Sequence, residues 1–193
     1  MKTEQTDDLL KAVSEGDEDA FHRLFDIWYK PMCVYAMNYI DSFDDAEDMA
    51  QNILAAFWVK YSKKRFVGSL KGYLFAAVQY DCIRYLRRQK NHWNKGSIES
   101  MAEEELEKSL LVDVEDSLVE EYDEEAYRRL MQEVEKLPDQ ARCIFMAVVV
   151  EDKKYKEVAA MLGISINTVK TQLSRSFRRL RDSLGVVIMI LLH

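Results

Sequence analysis

Residues 155–181, YKEVAAMLGISINTVKTQLSRSFRRLR, leave the chain little choice of local fold. Gly163 lies between two runs of helical period, and glycine closes a helix in the left-handed conformation without a Cβ penalty. Ser165 follows where a hydroxyl caps a new helix. Before the corner, Val158, Ala159 and Leu162 share one face, and Ala159 is small where two helices cross closely. Ile164 is placed to plug the corner. After it, Val169, Leu173, Phe177, Leu180 and Leu184 recur at three- and four-residue steps, which fixes the buried face of the second helix. The opposite face carries Asn167, Thr168, Lys170, Thr171, Ser174, Arg175 and Arg178. Short hydrogen-bonding side chains at a helix start, with bases beyond, suit a helix laid in the major groove. Arg178, Arg179 and Arg181 are set to grip phosphate. The other reading of these residues is an amphipathic hairpin with a merely solvated basic face.

The rest of the chain is compatible with such a motif. Only 6 glycines and 2 prolines occur in 193 residues, and scarce breakers among many good helix formers predict an all-α protein. Helical period begins near Leu9 and is broken at Gly16-Asp17. It resumes through Ala20, Leu24 and Trp28, with Pro31 expected to kink or restart the helix. A helix from about Asp44 to Tyr61 buries Ala46, Met49, Ala50, Ile53, Leu54, Phe57 and Trp58. Another, capped by Ser69, runs from Leu70 to about Gln89 with Leu74, Val78, Ile83 and Leu86 inward, followed by a polar break at Asn91 to Ser97. Leu137-Pro138 ends one helix and opens the next.

A net charge of −7 argues at first against nucleic acid. Its distribution reverses that reading. Residues 99–125 hold thirteen acids and one base, Lys108, so −12 of the −7 total sits there and the remainder carries +5. Sparse apolar residues in a self-repelling stretch predict a flexible linker. The expected organisation is two small helical domains, 1–95 and 119–185, joined by an acidic flexible linker, 96–118, and followed by an apolar tail, 186–193. The tail is far short of the ~20 residues needed to span a bilayer, so it is expected to dock on this protein or a partner. The polar, acidic start shows no secretion signal. Cys33, Cys82 and Cys143 are scattered, which predicts buried, reduced thiols in a cytoplasmic protein.

From Lys60 to Lys90 nine bases accompany one acid, Asp81, for a net +8. Aromatic residues interleave them. Basic side chains track a backbone while rings stack on exposed bases, so Lys63, Arg65, Tyr73, Tyr80, Arg84, Arg87 and Arg88 form a candidate surface for unpaired DNA. Equally, the rings could be core and the bases a solvated face. On the helix opening DDAEDMAQN, the exposed Asp48, Gln51 and Asn52 could dock a partner's helix, or the acids could simply complement the helix dipole.

Three blocks in order, DDAEDMAQNILAAFW at 44–58, GYLFAAVQYDCIRYLRR at 72–88, and LPDQARCIFM with the motif at 137–181, resemble extracytoplasmic-function sigma factors of bacterial RNA polymerase. The resemblance implies that 1–95 is a sigma domain two, which binds core RNA polymerase and melts the promoter. It implies that 119–185 is a sigma domain four, which reads the upstream promoter element. It assigns Asp48, Gln51 and Asn52 to polymerase, Tyr73 to Arg88 to melting, and the polar face from Asn167 to Arg175 to promoter DNA. It further implies an acidic linker in the polymerase's RNA path and an anti-sigma regulator as partner. Gln79-Tyr80 and Arg84 depart from the family's usual residues.

Other classes fit less well. A regulator with the same C-terminal motif needs a receiver or ligand-binding domain upstream, and residues 1–95 show no alternating strands. A sequestering adaptor does not need the polar reading face. For an enzyme, the chain lacks a P-loop, a glycine-rich nucleotide fingerprint, metal-ligand spacing and a nucleophile–base pair; His22, His92 and His193 are isolated. No catalytic residue, cofactor, metal or membrane insertion is expected.

Overall fold

The computed structural model describes residues 2–93 and 124–184, all helices and connections with no strand among them. Eight α-helices occur among these residues: α1 (Lys2–Ser14), α2 (Glu18–Ala36), α3 (Phe43–Tyr61), α4 (Leu70–Trp93), α5 (Glu124–Glu135), α6 (Asp139–Phe145), α7 (Tyr155–Leu162) and α8 (Ile166–Leu184). The expected acidic linker and apolar tail lie outside the described residues. The chain divides into two compact units. Within the described residues, one holds the chain up to Cys33 and again from Glu47 to Trp93. The other holds Val34–Ala46 together with 124–184. The N-terminal domain expected from the sequence thus contributes a segment, Val34–Ala46, to the unit that contains the C-terminal helices.

In the first unit, side-chain caps start α2 and α4. Asp17 Oδ1 accepts the Ala20 N–H at 3.0 Å and opens α2. Ser69 Oγ accepts the Gly72 N–H at 3.1 Å and opens α4. Pro31 lies inside α2, which continues unbroken to Ala36. An interior proline costs about 3 kcal/mol, and burial of Leu24, Met32 and Cys33 on either side offsets it. Val13, Ile53, Leu54, Phe57, Leu74, Phe75, Val78 and Cys82 complete this core. Trp58 packs on Phe21 with ring centroids 4.9 Å apart, and Trp28 meets Phe75 edge-on at 6.2 Å. Two expectations fail on α4. The helix runs through the predicted polar break to Trp93, since nothing from Asn91 to Trp93 is a breaker. Leu86 is 43% exposed although it follows Leu74, Val78 and Cys82 at four-residue steps, because the buried stripe of this helix ends at Cys82.

In the second unit, α8 packs on α5, α6 and α7. Leu130, Val134, Ile144, Phe145, Val158, Val169, Leu173, Phe177 and Leu180 are buried there, and Phe145 meets Phe177 with centroids 5.5 Å apart. A π-turn at Met146–Val150 follows α6, and Asp152, at φ 56°, reverses the chain ahead of α7. Aspartate is among the few residues that enter this region readily. Met37, Ile40 and Phe43 of the other segment are buried as well, with Phe43 edge-on to Tyr155 at 5.4 Å. Cys143 is exposed, against expectation, while Cys33 and Cys82 are buried. Ala141, Ile144 and Phe145 take the inner face of α6, and Cys143 falls between its turns.

Candidate nucleic-acid interface

Gly163 closes α7 at φ 64° and ψ 34°, and the Ile164 N–H donates back to the Ala159 carbonyl at 3.0 Å. Beyond its chain neighbours, no atom lies within 4 Å of where a Cβ would stand. Backbone conformation, and not crowding, therefore selects glycine. Ser165 opens α8: its Oγ accepts the Thr168 N–H at 3.0 Å and pairs with Thr168 Oγ1 at 2.8 Å. Lys154 stands at the N-cap of α7, and an ammonium has no acceptor. The Glu157 carboxylate reaches back and accepts the Lys154 N–H at 2.9 Å, which is the half of a capping box that does not depend on the cap side chain.

The corner and the buried stripe of Val169, Leu173, Phe177 and Leu180 fix which face α8 turns away from the core. Asn167, Lys170, Thr171, Ser174, Arg175 and Arg178 all line one cleft of about 370 Å³. Thr168 is not among its lining residues and is engaged by Ser165. The cleft's far wall is Asp41, Ser42, Phe43 and Asp44, in the same compact unit. Lys170 Nζ lies 3.0 Å from Asp44 Oδ1, and Arg178 Nε lies 3.7 Å from Asp41 Oδ2. Arg181, expected on phosphate, instead pairs with Asp41 and donates to the Met37 carbonyl at 3.0 Å and the Ile40 carbonyl at 3.4 Å. Its guanidinium thus neutralises the carbonyl end of α2, where a cation is favoured. Arg179 is exposed.

On α4, Tyr73, Tyr80, Arg84, Arg87 and Arg88 follow one another at helical spacing along one face. At 1.5 Å per residue the stripe is about 22 Å long. The two tyrosines are partly buried and the three arginines exposed. Lys63 and Arg65 stand exposed in the loop before this helix. The open choice between core rings and surface rings divides residue by residue. Phe75 is core, whereas Tyr73 joins Phe57, Tyr61 and Phe66 in a cluster with a partly open edge, its centroid 5.7 Å from Phe57 and 5.6 Å from Phe66. Lys60 Nζ lies 5.3 Å from the Tyr61 ring centre and 5.8 Å from that of Tyr73, a cation held over aromatic faces. Burial pushes the Asp81 carboxyl above its usual range, with Arg84 and Arg88 opposing the shift.

On α3, Asp48, Gln51 and Asn52 are exposed, and the same side continues through exposed Ala55, Ala56 and Val59. Val59 is 81% exposed. Gln51 Nε2 donates to the Tyr29 hydroxyl at 3.3 Å. Burial, foremost, raises the pKa of that phenol and keeps it protonated. Among the described residues, no helix is long and apolar enough to cross a membrane, and no cluster of His, Cys, Asp and Glu could hold a metal ion. Sequence reasoning missed the partner of the α8 face. Asp41 and Asp44 read there only as turn and capping residues, and nothing in their spacing marks them as ion-pair partners of a helix some 130 residues later.

Comparison with known proteins bears on both halves. Residues 127–180 match the Sigma-70 region 4 family. The chain is 23% identical over 179 residues to the ECF RNA polymerase sigma factor SigW of Bacillus subtilis, covering 91% of this chain and 94% of that one. It is 26% identical over 188 residues to the RNA polymerase sigma factor SigV of the same organism, covering 95% and 96%. A solved structure of the sigma factor RpoE from Bartonella quintana, in complex with the anti-sigma factor NepR, is 21% identical over 84% of this chain and 94% of that chain, at a TM-score of 0.31. With a Sigma-70 region 4 helix-turn-helix over residues 127–180 and sigma-factor relatives aligned along nearly its whole length, the chain is similar to bacterial RNA polymerase sigma factors, the extracytoplasmic-function class among them.

Proposed function

We propose that the C-terminal helices read the upstream promoter element through Asn167, Lys170, Thr171, Ser174, Arg175 and Arg178, with Thr168 setting the start of α8. The observation that carries this reading is the gathering of these six side chains on one face, opposite a continuous buried stripe. Asparagine and arginine have the donor geometry to pair with base edges, and the longer bases reach phosphate. Residues 1–95 bind core RNA polymerase and melt the promoter. Asp48, Gln51 and Asn52, extended by Ala55, Ala56 and Val59, form the docking face for the polymerase, a polar start running into small and apolar exposed residues. Tyr73 and Tyr80 offer ring faces to unstacked bases, and Lys63, Arg65, Arg84, Arg87 and Arg88 hold the backbone. Each unstacked base costs a few kcal/mol, which stacking offsets. Polymerase makes the bonds, and this chain supplies the choice of promoter.

The protein works where polymerase does, in the cytoplasm. Its partners are core polymerase, promoter DNA and a regulator of the anti-sigma class. The test is retention of purified bacterial core polymerase by the tagged chain, followed by transcription from a pool of promoter fragments. Stable association and new start sites are expected. Duplex binding with no polymerase association would leave a helix-turn-helix regulator instead.

A further inference from the structure

The α8 face assigned to DNA is not open. Three of its bases already have oxygen partners of the kind DNA offers. Lys170 meets Asp44, Arg178 faces Asp41, and Arg181 is shared between Asp41 and the carbonyls of Met37 and Ile40. Carboxylates spaced along the turn occupy one wall of the cleft, and the base-reading side chains Asn167, Ser174 and Arg175 occupy the other. The turn is anchored by more than charge. Phe43, only 3% exposed, sits between the two acids in sequence and packs edge-on against Tyr155, the first residue of α7. Ser42 Oγ accepts the Asp45 N–H at 3.2 Å, so the turn is a capped helix start with a fixed shape.

Resting on the assignment of α8 to promoter DNA, we propose that the turn Asp41–Asp44 is a built-in competitor for that DNA: it occupies the reading face of α8 in the free chain and must leave before the upstream element can bind. Carboxylate and phosphate oxygens satisfy the same guanidinium and ammonium donors, so the two ligands exclude each other. A duplex that binds only the open form has its apparent affinity reduced by the open fraction. The turn leads directly into α3, the helix assigned to polymerase. Docking of α3 on polymerase therefore acts on the segment that blocks α8, and coupling the two events restricts promoter reading to the holoenzyme.

Three proteins test this, the full-length chain, Asp41→Asn/Asp44→Asn, and the charge-matched control Glu15→Gln/Asp26→Asn, whose acids are exposed and do not line the cleft. The probe is a fluorescent random-sequence DNA duplex pool at fixed salt, without polymerase. The Asp41/Asp44 variant should bind about three- to tenfold more tightly than the full-length chain, the size two exposed ion pairs support. The control should move far less. Equal tightening in both variants, no tightening in either, or no detectable binding by any of the three overturns the proposal. A second measurement reads closure without DNA. Ser42→Cys and Thr171→Cys, with Cys143→Ser, place one thiol on each wall of the cleft. Bismaleimide cross-linking should be efficient and should fall several-fold when Asp41 and Asp44 are also neutralised; absence of the cross-link overturns closure. Arg175→Ala in the Asp41/Asp44 background separates the two readings. If it weakens duplex binding while neutralisation brings no gain, the DNA assignment stands and the competitor fails. If binding ignores Arg175, the DNA assignment itself fails.

Discussion

Gly163→Ala isolates the backbone's share in building the corner before α8. The corner needs a residue at φ 64° and ψ 34°, and a Cβ there meets nothing within 4 Å outside its chain neighbours. No packing is lost and no clash is made. The cost reduces to holding an L-residue in the left-handed region, about 1–2 kcal/mol. Amide hydrogen exchange on the full chain reads it locally. If α7 and α8 open together, their slowest amides should exchange about 5–30 times faster, the equivalent of that energy. Gly163→Asn should lose less, because asparagine enters this region more readily. All three tryptophans, Trp28, Trp58 and Trp93, lie in the N-terminal half, so tryptophan fluorescence should not change. An acceleration above a hundredfold would mean that crowding selects the glycine. No acceleration, or a change in fluorescence, would mean that the corner does not hold α8 as described.

Cys82 and Cys143 should separate under alkylation. Burial pushes the Cys82 thiol up to about 12, so at pH 8 it stays protonated and unlabelled by iodoacetamide until the chain unfolds, whereas exposed Cys143 labels first; equal labelling rates would contradict the packing of α4. Arg175→Ala should cost about 1–3 kcal/mol in promoter binding and relax preference at one base position; an equal loss on every sequence in a competition assay would make Arg175 a phosphate contact. Val59→Glu should leave thermal unfolding within about 0.5 kcal/mol of the parent, as a surface change does. It should still weaken retention of core polymerase, and unchanged retention would remove Val59 from the docking face.

What the sequence disclosed and what it withheld follow a physical line. Gly163, Ser165 and the stripe from Val169 to Leu180 are local constraints, each settled within a helix turn or two by backbone sterics, capping and periodicity. They determine α7, α8 and the side of α8 that faces away from the core. Leu86 and Cys143 failed for different reasons. Leu86 keeps the phase of Leu74, Val78 and Cys82 but lies past the end of the buried stripe. Cys143 lies one residue from a buried phase, and hydrophobic character alone does not say which of two adjacent apolar residues points inward. The end of α4 failed because polar residues are not breakers. The pairing of Asp41 and Asp44 with Lys170, Arg178 and Arg181 was beyond local rules altogether, since it depends on which segments of a chain fold into one unit.

That long-range pairing also bears on how a chain of net charge −7 would carry the DNA-reading face proposed for α8. At physiological salt the Debye length is about 8 Å, so DNA approaching α8 feels the charges within a helix turn or two of contact and little of the chain's total. Around Lys170 and Arg178 those nearby charges include Asp44 and Asp41. While the turn is seated, Asp41 and Asp44 cancel most of the charge of Lys170, Arg175 and Arg178, and the cleft offers a phosphate backbone less attraction. Once the turn leaves, the same side chains present concentrated positive charge along about two helix turns, and DNA affinity then acquires the salt dependence expected of direct phosphate contacts. The slope of affinity against salt should therefore be steeper for the Asp41→Asn/Asp44→Asn variant than for the parent. A chain whose reading face was always open would show the same slope in both, because the number of phosphates contacted would not have changed.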